Sequence, residues 1–225
     1  MNRKFIGRNF VAAIFLTAGL QSFGFAGEME DAVGDLARRW AKVYYQVPDA
    51  EKEAAYRAAI TQAEQVVHAF PSKAEPVVWQ AILLSSQAKA EGGLGALSKV
   101  KKARELLLAA EKINPTALDG SIYNSLGSLY AKVPGWPIAF GDKKLAREYL
   151  EKALAINPNG IDPNYFYGDL LADQGEYAKA VVHLKRALAA PARPGREDAD
   201  AGRRKEINQL LNTLQQKHGD QLAAK

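Results

Sequence analysis

Residues 162–191 read DPNYFYGDLLADQGEYAKAVVHLKRALAAP and contain the clearest repeated pattern of the chain. Small and large apolar residues recur on both sides of Gly175: Tyr167, Gly168, Leu171, Tyr177, Ala180, Leu184 and Ala187. Residues three and four positions apart share one face of a helix. The stretch therefore predicts two helices joined by a turn, with Gly168 and Ala180 where the two helices approach most closely.

Two upstream stretches repeat this arrangement. One contains Tyr123, Leu126, Gly127, Tyr130, Ala146, Leu150, Ala153 and Pro158. The other is weaker and contains Trp79, Ile82, Leu83, Ser86, Ala103, Leu107, Ala110 and Pro115. A single helix pair cannot bury its apolar face alone, so repeated pairs stack into a solenoid with an extended concave surface.

Proline and glycine residues divide the chain into helical segments, and no stretch alternates as a strand would. Asn114-Pro115 and Asn157-Pro158 end two of the helices, because the residue before proline disfavours the helical region. The pattern predicts helices at about 28–47, 50–69, 76–91, 97–113, 119–133, 143–156, 162–174, 177–190 and 197–217.

The pattern between Pro76 and Pro191 resembles the tetratricopeptide repeat family, in which each repeat of about 34 residues is a helix–turn–helix. The resemblance implies an all-α protein, a right-handed α-solenoid of stacked antiparallel helix pairs. It places a divergent first pair at 27–74, the repeats at 75–192 and a capping helix with a tail at 193–225. The capping helix carries one apolar face made of Ile207, Leu210, Leu211 and Leu214.

Two repeats are longer than the family pattern, and we place inserted loops at about 90–97 and 133–142. The second loop contains two prolines, two glycines and the large apolar residues Trp136, Ile138 and Phe140. Tryptophan is prominent among the residues that dominate protein interfaces, so the loop could anchor a partner. The alternative is that its side chains fold back and fill the gap made by the insertion.

The resemblance also implies which residues of the first helix of each pair face a bound peptide. They are Gln80, Leu84, Gln87, Asn124, Ser128, Lys132, Tyr165, Asp169 and Asp173. Asn124 and Lys132 match residues with which some members of the family hold a peptide's terminal carboxylate. Tyr165 and Asp169 depart from that set. We therefore expect an extended or helical segment with a cationic group near Asp169 and Asp173, the alternative being a solvated face without a ligand.

The first 26 residues have the three-part layout of a secretory signal peptide. Three basic residues precede the apolar run from Phe10 to Leu16, and Gly24 and Ala26 supply small residues before a cleavage position. An uncleaved membrane anchor is the alternative, but the run is short for a span of about 20 residues. The layout predicts export to the periplasm, with no stable membrane insertion after cleavage.

Composition excludes several classes of site. Three of the basic residues behind the net charge of +5 lie in the leader, so the remaining bias is too weak to indicate nucleic-acid binding. The chain has no cysteine, which rules out disulfides, thiolate metal sites and cysteine nucleophiles. Its three histidines, His68, His183 and His218, lack the spacing of a helical zinc site. We expect no enzyme activity, no cofactor and no metal.

The sequence thus predicts a periplasmic scaffold or accessory subunit that binds a protein or peptide through its groove and its aromatic loop. The same exposed apolar loop could serve a homo-oligomer. A looser resemblance is to the repeat component of TRAP-type solute transporters. It implies a small organic ligand in a pocket walled by Trp136, Phe140 and Tyr130.

Overall fold

The computed structural model describes residues 18–223, which contain nine α-helices and no β-strand. The helices are α1 Ala18–Tyr45, α2 Asp49–Ala69, α3 Ala74–Glu91, α4 Gly95–Ile113, α5 Ala117–Lys132, α6 Lys143–Ile156, α7 Ile161–Asp173, α8 Tyr177–Leu188 and α9 Glu197–Ala223. The prediction of an all-α helical solenoid is confirmed. Most of the predicted signal peptide, residues 1–17, lies outside the described residues, and α1 continues through the predicted cleavage position after Ala26.

Successive helices pack in pairs and the pairs stack in two rows. The closest pairs are α3 with α4, α5 with α6, and α7 with α8. The odd-numbered helices α1, α3, α5 and α7 also contact one another in order, and they form what we call the inner row. The even-numbered helices lie behind this row, as expected for a solenoid of helix pairs.

Small residues set the distance between paired helices. A Cβ atom added at Gly127 in α5 would lie 2.5 Å from Leu150 Cγ in α6. At Gly168 in α7 it would lie 3.0 Å from Leu184 Cγ in α8. The side chains opposite are fully buried, so they have little room to move. The repeated small residues of the sequence are therefore required for close helix packing.

The segment predicted as an inserted loop at 90–97 is mostly helical. Only residues 92–94 separate α3 from α4, so that prediction was wrong about where the surplus residues lie. Gly92 and Gly93 both have φ of +64°, a conformation that glycine adopts without strain. Two such residues reverse the chain quickly, and the surplus extends the flanking helices. The second insertion, residues 133–142, lies between α5 and α6.

The last helix, α9, contacts both ends of the solenoid. Its second half packs Ile207 and Leu214 against Leu184 of α8, as the apolar face predicted. Its first half contacts α7 and also α1, at the opposite end of the inner row. The two ends of the solenoid are thereby joined, which the prediction of a simple terminal cap did not include. None of the described helices is long and apolar enough to cross a membrane.

Replacing Gly127 with alanine should destabilise the protein, because the new methyl group overlaps buried Leu150. Overpacking of this kind costs about 1–3 kcal/mol, which lowers Tm by roughly 2–10 °C in a chain of this size. Gly95→Ala is the matched control, since nothing lies within 4 Å of the added Cβ there. Equal melting temperatures for the two variants, measured by circular dichroism, would contradict the close-packing argument.

Candidate partner-binding surfaces

A buried arginine of α9 lies between the ends of the inner row. Arg203 is 6% exposed, and its Nε donates to Oδ1 of Asp162 at 2.9 Å. Its guanidinium lies over the rings of Tyr165 and Phe166, at 4.3 Å and 4.7 Å from their centroids. An arginine held between a carboxylate and aromatic faces is recognised by both its charge and its planar shape.

Asp162, in the first turn of α7, also holds a second arginine. Arg193 donates from Nη1 to Asp162 Oδ2 at 2.8 Å and from Nε to Asp200 Oδ1 at 2.9 Å. Burial by itself would raise the pKa of Asp162. The charges of Arg203, Arg193 and Arg196 outweigh this effect and hold the pKa well below its usual range. The carboxylate is therefore ionised throughout the physiological range and binds both guanidinium groups.

The same part of α9 contacts α1. Glu206 accepts hydrogen bonds from the hydroxyls of Tyr44 and Tyr45, each at 3.2 Å. Burial and the neighbouring Glu206 carboxylate raise the pKa of Tyr44 to about 12, so its hydroxyl remains a donor. Gly202 lies directly against the Tyr45 ring, since an added Cβ would be 2.5 Å from it. We call residues 193–206, which make these contacts, the docked segment.

The docked segment also reaches α3. The Arg196 guanidinium lies over the Trp79 ring, 5.1 Å from its centroid. Neither Arg196 Nε nor Trp79 Nε1 has a hydrogen-bond partner among the described residues. The docked segment thus contacts α1, α3 and α7, and it covers part of the inner row that we expected to receive a partner.

Several residues predicted to contact a partner are occupied or buried. Tyr165 is covered by Arg203 of the docked segment. Gln80, Gln87 and Asn124 are only 8%, 4% and 4% exposed, so they offer almost no surface to another molecule. Their prediction as contact residues does not fit the structure, because the inner helices pack closely around them. Leu84 and Ser128 are partly buried.

The predicted acidic site for a cationic group is neutralised within the chain. Lys132 Nζ lies 2.8 Å from Asp169 Oδ2 and 2.7 Å from Asp173 Oδ2, and Lys143 lies 3.3 Å from the same Asp173 oxygen. Burial raises the pKa of Asp173, but the hydrogen bond and charge of Lys132 lower it below its usual range. Two acids matched by two lysines attract neither a cationic group nor a terminal carboxylate strongly.

The loop between α5 and α6 combines a fixed base with an exposed tip. Phe140 is partly buried, 5.4 Å from the Tyr130 ring and 4.2 Å from the Arg104 guanidinium. By contrast, Trp136 is 89% exposed and Ile138 is 61% exposed. Each of the two alternatives drawn from the sequence therefore applies to part of the loop. Phe140 fills the gap, and the other two side chains face solvent.

Main-chain hydrogen bonds hold this loop in one shape. Gly141 N donates to Pro134 O at 2.9 Å, and Asp142 N donates to Tyr130 O at 2.9 Å. A Cβ at Gly141 would lie 1.9 Å from Val133 O, so only glycine fits there. We call residues 134–142 the Trp136 loop. Its exposed side chains are presented on a rigid base, as a protein-binding anchor requires.

Two clefts border the docked segment. The larger, of about 710 Å³, lies between α1, α2 and residues 195–199. The smaller, of about 280 Å³, is lined by Trp79, Leu118 and Arg196 together with residues of α1. Neither is lined by Trp136, Phe140 or Tyr130. Across residues 18–223, no group of three histidine, aspartate or glutamate side chains is arranged to hold a metal ion.

One comparison with known proteins supports the repeat assignment for part of the chain. Residues 138–196, about a quarter of the sequence, match the tetratricopeptide repeat family. No curated protein sequence matches the chain. A crystal structure of a thermophilic tetratricopeptide repeat protein from Thermus thermophilus is similar with a TM-score of 0.37 and 17% identity. That similarity covers 67% of this chain and 91% of the other.

Two substitutions separate the base of the Trp136 loop from its tip. Phe140→Ala should cost about 2 kcal/mol and lower Tm by roughly 4–8 °C, because it removes a ring packed against Tyr130. Trp136→Ala should change stability by less than about 0.5 kcal/mol, since that side chain is solvated. Thermal unfolding checks both. A larger loss for Trp136→Ala than for Phe140→Ala would refute this division of the loop.

Asp162→Asn should lower the free energy of unfolding at neutral pH by about 3 kcal/mol, because it leaves two guanidinium groups without their shared carboxylate. The folded-state pKa of Asp162 lies below its ordinary value of 3.8. Its contribution is therefore complete above that pH and is lost as the pH falls through the folded-state pKa. The difference between wild type and variant should narrow in acid.

Urea denaturation at a series of pH values measures this difference. Asp49→Asn is the control, because Asp49 is exposed and its ion pair is with Lys52, three residues later on α2. It should change stability little at any pH. An Asp162→Asn effect that is small at neutral pH, or that grows in acid, would show that the buried ion pair does not hold α9 in place.

Proposed function

We propose that this protein is a periplasmic scaffold that binds a protein partner through the Trp136 loop. Tetratricopeptide repeats generally mediate protein–protein interaction, and residues 138–196 match that family. The observation that carries the proposal is the exposure of Trp136 and Ile138, at 89% and 61%, on a loop with a packed base. Exposed apolar side chains held in a fixed position are typical of interface anchors.

The inner row offers less to a partner than the sequence suggested. The docked segment covers Tyr165, and Lys132 and Lys143 neutralise Asp169 and Asp173. The Trp136 loop has no such internal partner for its exposed side chains among the described residues. We therefore place the primary docking surface on the loop.

The location rests on the N-terminal sequence. A basic start, a short apolar run and small residues at Gly24 and Ala26 favour export through the inner membrane. A chain without cysteine forms no disulfide, so its fold does not depend on the redox state of that compartment. The N-terminal layout therefore supports a periplasmic location.

The alternative is an accessory component of a TRAP-type transporter that holds a small organic ligand. It needs a pocket walled by Trp136, Phe140 and Tyr130. The Tyr130 ring lies 5.4 Å from Phe140 and stacks on Tyr149 at 5.6 Å, so these rings fill the space between themselves. Trp136 is solvated and encloses nothing. The scaffold function therefore has the better support.

Affinity capture from the native envelope, after crosslinking, tests the proposal. The double variant Trp136→Ala, Ile138→Ser should lose a protein that wild type recovers. Val182→Ser is the matched control, because Val182 is also exposed, at 55%, but belongs to α8 and not to the loop. It should recover that protein normally.

Recovery of the same proteins by all three forms would contradict the loop as the docking surface. Size-exclusion chromatography of the purified protein distinguishes a further outcome. A dimer that dissociates in the double variant would show that the loop binds a second copy of the chain, not a different protein.

A further inference from the structure

We propose that the inner row carries a second binding site, which accepts a helix of another protein that presents an arginine followed three residues later by a glutamate. In the isolated chain, α9 occupies this site as an internal ligand. The proposal rests on the scaffold function, but it concerns a surface separate from the Trp136 loop. The two can therefore fail independently.

The first half of the site recognises arginine. Asp162 faces the guanidinium from one side, and the rings of Tyr165 and Phe166 lie 4.3 Å and 4.7 Å from it. The contact to Asp162 Oδ1 is 2.9 Å, and Arg203 is almost completely buried. A lysine ammonium would keep the charge, but it lacks the flat, forked shape that these groups match.

The second half of the site recognises a carboxylate one helical turn further on. The hydroxyls of Tyr44 and Tyr45 both donate to Glu206. Residues three positions apart share a helix face, so Arg203 and Glu206 reach α7 and α1 together. Gly202 lets the helix backbone lie against the Tyr45 ring. The site therefore selects a helix with a small residue before the arginine and an acid three residues after it.

The docked segment is held mainly by ion pairs, hydrogen bonds and cation–π contacts, and Ala199 is its one residue in an apolar core cluster of the described residues, which makes the segment exchangeable. Within residues 197–206, only Ala199, Asp200 and Arg203 are buried. Buried ion pairs add little net stability, because both charges lose their hydration. Gly202 further weakens this half of α9 as a helix. Residues 191–195, where the docked segment begins, contain two prolines and a glycine and are largely exposed.

The rest of α9 is attached differently. Ile207 and Leu214 are buried in the apolar cluster with α8, and Leu210 and Leu211 pack beside them. This half can stay in place while the docked segment, residues 193–206 with both Arg193 and Arg203, unfolds locally. Release of the docked segment leaves Asp162 partly buried without a cation, which is unfavourable. Another guanidinium would relieve this state, and that favours an arginine-bearing helix as the replacement.

A peptide with the sequence of residues 193–209, RPGREDADAGRRKEINQ, serves as the probe for such a helix. It is added to the full chain carrying Arg193→Ala, Arg203→Ala and Glu206→Ala, which removes the side chains of the chain itself that pair with Asp162, Tyr44 and Tyr45 and leaves those three site residues unchanged. Fluorescence anisotropy should show binding of the labelled peptide. A peptide in which the arginine at position 203 is lysine should bind at least about tenfold more weakly.

Adding Asp162→Asn to this triple variant should abolish peptide binding, whereas Asp49→Asn should leave it unchanged. Failure of the peptide to bind a triple variant of wild-type helicity would overturn the proposal. Equal binding of the arginine and lysine peptides would do the same. A wild-type dimer that dissociates on Asp162→Asn would identify a second copy as the occupant and overturn the choice of a separate partner.

Hydrogen exchange on the unmodified protein provides a test that needs no variant. The amides of residues 198–206 should exchange at least about tenfold faster than those of residues 207–214, because the docked segment opens locally. Equal exchange rates in both halves of α9 would show that the segment does not leave the site. Loss of partner capture through the Trp136 loop would not affect either measurement.

Discussion

The ion pair between Arg203 and Asp162 joins parts of the molecule that no local interaction would bring together. It fixes the first half of α9 against α7, and Glu206, one turn later, fixes the same helix to α1. The ends of a stack of helix pairs are otherwise free. Here the C-terminal helix connects them, so the aromatic residues of α1, α3 and α7 surround a single charged segment. The arrangement depends on a charge that is buried with its partners.

The helix pairs could be predicted because they follow from local pattern. Gly127, Gly168 and the alanines opposite them mark close helix contacts, and the structure places them there. The apolar face of residues 207–214 likewise predicted packing against the preceding pair. The docked segment could not be found in this way. Residues 193–206 look like an exposed polar helix, and Arg203 becomes buried through Asp162, Tyr165 and Phe166, which are between 37 and 41 positions away.

Two predictions from the sequence differ from the structure for a common physical reason. A loop was expected at 90–97 because the repeat is long, but two glycines with positive φ turn the chain within three residues. An acidic contact was expected at Asp169 and Asp173, but Lys132 and Lys143 reach them from neighbouring helices. In both cases the difference arises from features that a repeat pattern does not specify. These are the backbone angles of the two glycines in the first case and the ion pairs with lysines of other helices in the second. The surface that is left accessible to a partner therefore lies on the Trp136 loop rather than along the inner row.

The distance between α1 and α9 tests most directly whether the C-terminal helix closes the solenoid. The chain has no cysteine, so spin labels attach only at introduced positions. Arg39→Cys and Lys205→Cys place them at exposed sites on the two helices. Pulsed electron resonance should give one short, narrow distance distribution that broadens when Asp162→Asn is added. A broad or long distribution in the chain with intact Asp162 would mean that α9 is not docked on α1 and would contradict the account.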